Sequence, residues 1–147
     1  MYRILLVDDE ILVRDAIKEN IDWEGIGCQL VGDCENGQQA AEFVKEHPVD
    51  IVLTDILMPY MDGMELSHFL HDNYPDIVIV IFSGFGEFEY AKEAMKNGVK
   101  YYLLKPCNEL QIIDCIEQCK KDCYQQKIME RIVSDRFMAI NLSLIHI

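Results

Sequence analysis

Four short apolar runs in this 147-residue chain each lead into residues that can do chemistry. Residues 3–7 are followed by Asp8, Asp9 and Glu10; residues 51–53 lead through Thr54 to Asp55; residues 77–82 are followed by Ser83; and residues 101–104 by Lys105 and Pro106. Singly, each is ordinary. An acidic residue after a strand is often only a helix N-cap, Ser83 before Gly84 suits a loop, and Lys105 suits a solvated surface. Together, Asp8, Asp9, Asp55, Ser83 and Lys105 are three carboxylates, a hydroxyl and an amine. Carboxylates a few ångströms apart repel one another unless a cation neutralises them. An all-oxygen set on open loops favours a hard divalent ion, here Mg2+. Such an ion beside one amine and one hydroxyl complements a phosphoryl group, and a carboxylate among them can act as a nucleophile and form an acyl phosphate. Asp55 is the candidate nucleophile, because it ends a middle run and is followed by Pro59 and by Asp62-Gly63.

That chemistry requires elements that bring the residues together. The apolar runs are continuous instead of alternating, as in strands buried on both faces of a parallel sheet, and residues 28–32 form a weaker fifth run. Between the runs lie segments of helical length. Asn36-Gly37-Gln38-Gln39 reads as a capping box opening a helix that stops at His47-Pro48. A second helix runs from about Gly63 to a stop before Pro75, and a third from about Glu87 closes at Asn97-Gly98. Asn108-Glu109-Leu110-Gln111 opens a long last helix. The pattern predicts a (βα)5 α/β fold, a doubly wound parallel five-stranded sheet with helices on both faces. Ligands of such sheets bind outside the carboxyl ends of the strands, so one fold rule sends all the reactive residues to one rim.

Half the residues are apolar, enough for a single buried core. Thirteen basic residues against 26 acidic ones give a net charge of −13, which repels a phosphate backbone and argues against nucleic-acid binding by this chain itself. The apolar runs are far shorter than the ~20 residues of a membrane span, and the N-terminus lacks a signal-peptide cleavage region, so a cytoplasmic protein is expected. Six cysteines include no Cys-x-x-Cys pair. Cys115, Cys119 and Cys123 share one helix face and read as apolar filler, and His47, His68, His71 and His146 as surface residues.

At the reactive positions the chain resembles the receiver domain of two-component response regulators. The resemblance is carried by Leu5-Leu6-Val7-Asp8-Asp9-Glu10, by Thr54-Asp55-Ile56-Leu57-Met58-Pro59 with Asp62-Gly63, by Phe82-Ser83-Gly84, and by Tyr102-Leu103-Leu104-Lys105-Pro106, in order from residue 2 to about 124. It implies a CheY-like fold with strand order 2-1-3-4-5 and a phosphoryl group accepted by Asp55 from the phosphohistidine of a sensor histidine kinase. It also implies Mg2+ bound by Asp9, Asp55 and the backbone carbonyl of Leu57, with Asp8 acting mainly through water. Lys105 would pair with Asp55 and then with the phosphoryl group. Ser83 and Tyr102 would form the switch, and the Lys105-Pro106 bond would be cis. The protein would then be a regulatory phosphoacceptor, catalysing only its own phosphorylation and dephosphorylation. Residues 20–24 and 82–91 are similar to the YesN-like subgroup, which joins a receiver to an AraC-type helix-turn-helix output; DNA would be bound only through that C-terminal domain, absent here. Packing alone is the other reading of Trp23 and Phe88. Leu57 and Phe85 are bulky and apolar where they would shield an acyl phosphate from water, which predicts a long-lived phosphorylated form, and Gly84 would leave room for the group.

The expected boundaries are a receiver over 1–124 and, over 125–147, a helical extension, linker or non-native tail. Ile112, Ile116, Cys119 and Cys123 are spaced for one face, Gln126 and Glu130 break it, and Ile128, Met129, Ile132 and Val133 resume on a shifted face. Such a helix either pairs with its twin in a homodimer or packs on its own sheet to about Cys123 and then frays. Among other functions, an aspartyl phosphohydrolase of the haloacid-dehalogenase kind wants a second aspartate where Leu57 stands. A dinucleotide site fails because Leu30 replaces the third glycine after Gly25-Ile26-Gly27. A pseudo-receiver would have lost one of the five reactive residues.

Overall fold

The computed structural model describes residues 1–84 and 86–145, with side chains up to residue 140. Strands and helices alternate: β1 (Tyr2–Val7), α1 (Ile11–Asn20), β2 (Cys28–Cys34), α2 (Gly37–Glu46), β3 (Ile51–Asp55), α3 (Gly63–Asn73), β4 (Val78–Ser83), α4 (Phe88–Lys96), β5 (Tyr101–Leu104) and α5 (Glu109–Ile145). The five strands are parallel, in the order β2-β1-β3-β4-β5. The CheY-like, flavodoxin-like topology expected from the sequence is therefore the one observed.

The continuous apolar runs have a direct cause. Leu5, Val7, Val52, Ile79 and Ile81 face one side of the sheet and pack with Ala40, Val44, Leu66, Leu70, Ala91 and Ala94 of α2, α3 and α4. Ile4, Leu6, Ile51, Leu53, Val80 and Phe82 face the other side, against Ile112, Ile116, Cys119 and Cys123 of α5. Both sets of alternate residues are thus withdrawn from water, and all five residues of β3 are buried. The edge strand β5 has no fully buried residue, and β2 buries only its two end cysteines, which explains its weak apolar signal. The cysteines of α5 are core filler, as expected: Cys119 and Cys123 are buried and Cys115 packs beside them.

Helix starts follow local chemistry. Asn108 Oδ1 accepts from Gln111 N, and Gln111 Oε1 accepts from Asn108 N, both at 2.9 Å, a complete capping box. Asp62 and Glu65 form another, not read from the sequence. At Asn36 the box is displaced: Asn36 Oδ1 caps Gln39 N, but Gln39 Oε1 reaches the amide of Glu35 instead. Gly98, with φ +100°, ends α4 in the left-handed region that favours glycine.

α5 continues without a break past the sheet. Ile128, Met129, Ile132, Val133, Phe137 and Ile140 are all exposed on it. Phe88 is also exposed, so packing does not account for it, whereas Trp23 is partly buried against the α5 side of the core and its indole N–H donates to the Lys18 carbonyl. Among the described residues no helix is long and apolar enough to cross a membrane. Phe85, His146 and Ile147, and the side chains of residues 141–147, lie outside what is described.

Candidate functional site

Strand register alone assembles the rim. Val7 pairs with Thr54, so Asp8 and Asp55 emerge side by side from β1 and β3. Asp55 pairs with Phe82, placing Ser83 one residue further along β4, and Ser83 pairs with Leu104, so Lys105 follows one residue beyond β5. Strand order reverses between β1 and β3, where such sheets open a ligand crevice. α3 closes in from below: a Cβ at Gly63 would collide with the Asp55 carbonyl and lie 2.9 Å from Ile56 Cα, while the Gly63 N–H donates to the Ile56 carbonyl at 2.8 Å. Glycine is what lets the helix start that close to the strand end.

The Lys105 ammonium lies 3.2 Å from Asp8 Oδ2 and 3.2 Å from Asp55 Oδ1, bridging the two carboxylates. Asp55 is nearly buried, at 6% exposure, and its Oδ1 also accepts from the Ile56 amide. Burial, reinforced by Asp8, pushes the Asp55 carboxyl up to about 6 against the opposing pull of Lys105 and the Ile56 amide. Burial would lower Lys105, but the two carboxylates together outweigh it and raise that amine. Asp8 is buried too, while Asp9 and Glu10 are exposed, and one oxygen from each of the three lies within 4.8 Å of the others. Lys105 bridges Asp8 and Asp55, and Asp9 and Glu10 cluster with Asp8, so the rim carries an excess of negative charge that a hard divalent cation fits, with every donor an oxygen. Leu57, whose backbone carbonyl was expected in the ligand set, sits in the irregular segment directly after β3 with its side chain exposed.

Ser83 is fully buried, and its Oγ is a buried side-chain polar atom without a hydrogen-bond partner among the described residues. A buried hydroxyl left unpaired costs about 1–3 kcal/mol. Tyr102, the second expected switch residue, is half-buried against the helix α2–α4 side of the core. The Lys105-Pro106 bond is cis, as the resemblance implied.

Two charged residues went unread in the sequence. Glu87 Oε2 accepts from the Gly84 amide at 2.7 Å, so the room expected beside Gly84 faces a carboxylate. Arg14 on α1 is buried, at 5% exposure; it donates to the Asp8 carbonyl and pairs with Asp33 at 3.0 Å. Nothing in either local sequence marks the burial of Arg14 or the bond from Gly84 to Glu87.

Known proteins share this fold. The family model described as response regulator receiver domain matches residues 4–117. The transcriptional regulatory protein YesN of Bacillus subtilis is 47% identical over 131 residues, covering 89% of this chain and 36% of YesN. The transcriptional regulatory protein HptR of Staphylococcus aureus is 30% identical over 76% of this chain and 44% of its own length. The chain thus spans less than half of these curated relatives. Among solved structures, the receiver domain of AraT, a response regulator from Geobacillus stearothermophilus, superposes with a TM-score of 0.80 at 32% identity, covering 86% of this chain and 98% of that one. A two-component transcriptional regulator AraC from Clostridium phytofermentans gives 0.81 at 35% identity with the same coverages. With its strand order, its rim of carboxylates and lysine, and these matches in agreement, the chain belongs to the response regulator receiver domain family, with YesN-like regulators among its relatives.

Proposed function

We propose that this domain is a phosphorylation switch in which Asp55 accepts a phosphoryl group from a sensor histidine kinase. The observation that carries the reading is the Lys105 bridge, an ammonium equidistant from Asp8 and Asp55 at the carboxyl ends of the central strands. In the transfer, an Asp55 carboxylate oxygen attacks phosphorus, the bond from phosphorus to the kinase imidazole nitrogen breaks, and that nitrogen keeps the bonding electron pair. Lys105 can follow the negative charge from the carboxylate to the phosphoryl oxygens, being already held beside the nucleophile. Asp9, Asp55 and the Leu57 carbonyl are the groups that would hold Mg2+, with Asp8 acting through water. The ion would supply charge neutralisation at the phosphoryl oxygens.

Ser83 Oγ, buried without a partner among the described residues, is a donor in reserve for the new anion, and Tyr102 on the neighbouring strand would respond to its movement. Leu57 stands two residues past the nucleophile, where it would slow hydrolysis. Its expected companion Phe85 lies outside the described residues. An apolar cavity of about 480 Å3, lined by Leu12, Ile17, Phe82, Pro106 and Ile112, adjoins Asp8 and Lys105, and the exposed Ile11 and Leu12 at the start of α1 give a kinase an apolar surface beside the acceptor.

The receiver proper is residues 1–124. The extension beyond carries its exposed apolar face toward a second copy, making a homodimer through the last helices, and leads toward an AraC-type DNA-binding output. The domain is a regulatory phosphoacceptor, acting on nothing but its own aspartate, in the cytoplasm. Incubation with Mg2+ and acetyl phosphate followed by intact mass measurement tests the reading. One phosphate adduct, absent in Asp55→Asn, is expected; no adduct contradicts it, and turnover of many donor equivalents identifies a hydrolase instead.

A further inference from the structure

We infer that Arg14 is a positioning residue for the acidic turn, holding the Asp8 carbonyl so that the carboxylates of Asp8 and Asp9 are set for a divalent cation; the inference rests on the Mg2+ reading above. Every polar group of Asp8 is engaged. Its amide donates to the Cys34 carbonyl at 3.0 Å, its Oδ1 accepts from the Glu10 amide at 2.9 Å, its Oδ2 faces Lys105 at 3.2 Å, and its carbonyl accepts from Arg14 Nη1. Three of these partners belong to the sheet or to the rim already described. Arg14 alone is brought in from a helix for the purpose.

Its location runs against two general preferences. A buried charge is costly unless it is paired and hydrogen-bonded, and a cation near the N-terminal end of a helix opposes the helix dipole. Arg14 lies in the first turns of α1, its amide bonded to the Glu10 carbonyl at 3.1 Å, and helical side chains lean toward the N-terminus, which carries the guanidinium back over the turn. There it spans two anchors at once: the Asp8 carbonyl and, through Nε at 3.0 Å, Asp33 at the end of β2, with Glu35 at 4.0 Å. Asp33 balances the guanidinium charge, so Arg14 can order the turn without presenting an unpaired cation to an incoming one. Lys18 contacts Asp33 as well, at 3.4 Å, and therefore does not depend on the Asp8 bond. A single ammonium cannot span both anchors as the planar guanidinium does.

The test is calorimetric titration of the full chain with MgCl2, alongside thermal unfolding without divalent ions. Losing a residue that orients a ligand typically weakens metal binding 10–100-fold, so Arg14→Met is expected to weaken Mg2+ about tenfold or more, Arg14→Lys about fivefold, and Asp33→Asn less than about threefold even where it lowers the melting temperature. At saturating Mg2+, labelling of the Arg14 variants by acetyl phosphate should return to near the wild-type rate, since the acceptor itself is untouched. If Arg14→Met does not fold, Arg14→Lys against Asp33→Asn decides alone. Wild-type Mg2+ binding with unchanged affinity in the Arg14 variants, or equal weakening by Asp33→Asn, overturns the assignment of Arg14. A wild-type chain that binds no Mg2+ overturns the Mg2+ reading itself.

Discussion

Replacing Asp55 by asparagine should make the metal-free protein more stable. The nucleophile is buried, and its carboxyl is pushed from an ordinary 3.8 up to about 6, chiefly by burial. For a carboxyl whose folded pKa is raised, the favourable contribution exists below the unfolded value and is lost as pH rises through the folded one. At neutral pH the ionised group therefore opposes folding. A shift of roughly two units at 1.36 kcal/mol each is about 3 kcal/mol. Asparagine keeps the shape and removes the charge, but it also deprives Lys105 of one partner, so a net gain of about 1–3 kcal/mol is expected at pH 7. Urea unfolding with a chelator present measures it. The advantage of Asp55→Asn should shrink as pH falls from 7 through 6 and vanish below about 4, and added Mg2+ should stabilise the wild type more than the variant. An asparagine variant less stable than wild type at pH 7 without divalent ions, or a difference that ignores pH, would refute the reasoning.

Three further expectations follow from the geometry. Ser83→Ala should leave metal-free stability unchanged or raise it by about 1 kcal/mol, since its buried hydroxyl has no partner among the described residues, while reducing the structural response to phosphorylation followed by NMR shifts of Tyr102. Gly63→Ala should cost about 1–3 kcal/mol in urea unfolding, because the new methyl meets backbone atoms of Asp55 and Ile56 that cannot step aside. Ending the chain after residue 124 should leave the melting temperature within about 2 °C, because the apolar residues from Ile128 to Ile140 are exposed and contribute little to the core, and should abolish any concentration-dependent association seen by ultracentrifugation.

The parts of the fold that were legible in the sequence are those where one physical cause dominates. β3 is buried throughout and apolar from Ile51 to Leu53 because helices cover both its faces, and the rim residues follow because a parallel sheet sends every strand end the same way. The edges were fainter: β2 buries little, so its apolar pattern is diluted. Gln39 bonding Glu35 instead of completing the box at Asn36 is a matter of side-chain reach that spacing does not encode. Packing, the other reading of Phe88, fails because it is exposed, whereas Arg14 is buried and Glu87 is drawn to the Gly84 amide, because residue type gives the cost of burial but not the partners that offset it. The distances from Lys105 to Asp8 and Asp55 were likewise beyond the sequence, which could name the residues but not make them equidistant.

The central claim is that phosphorus becomes bonded to one particular carboxylate. Borohydride reduces an acyl phosphate to the corresponding alcohol, so treatment of the acetyl phosphate-labelled chain followed by peptide mass analysis reads the acceptor directly. The account predicts homoserine at position 55 and nowhere else; reduction at Asp8 or Asp9, or no reduced residue in a chain that has gained phosphate, would contradict it.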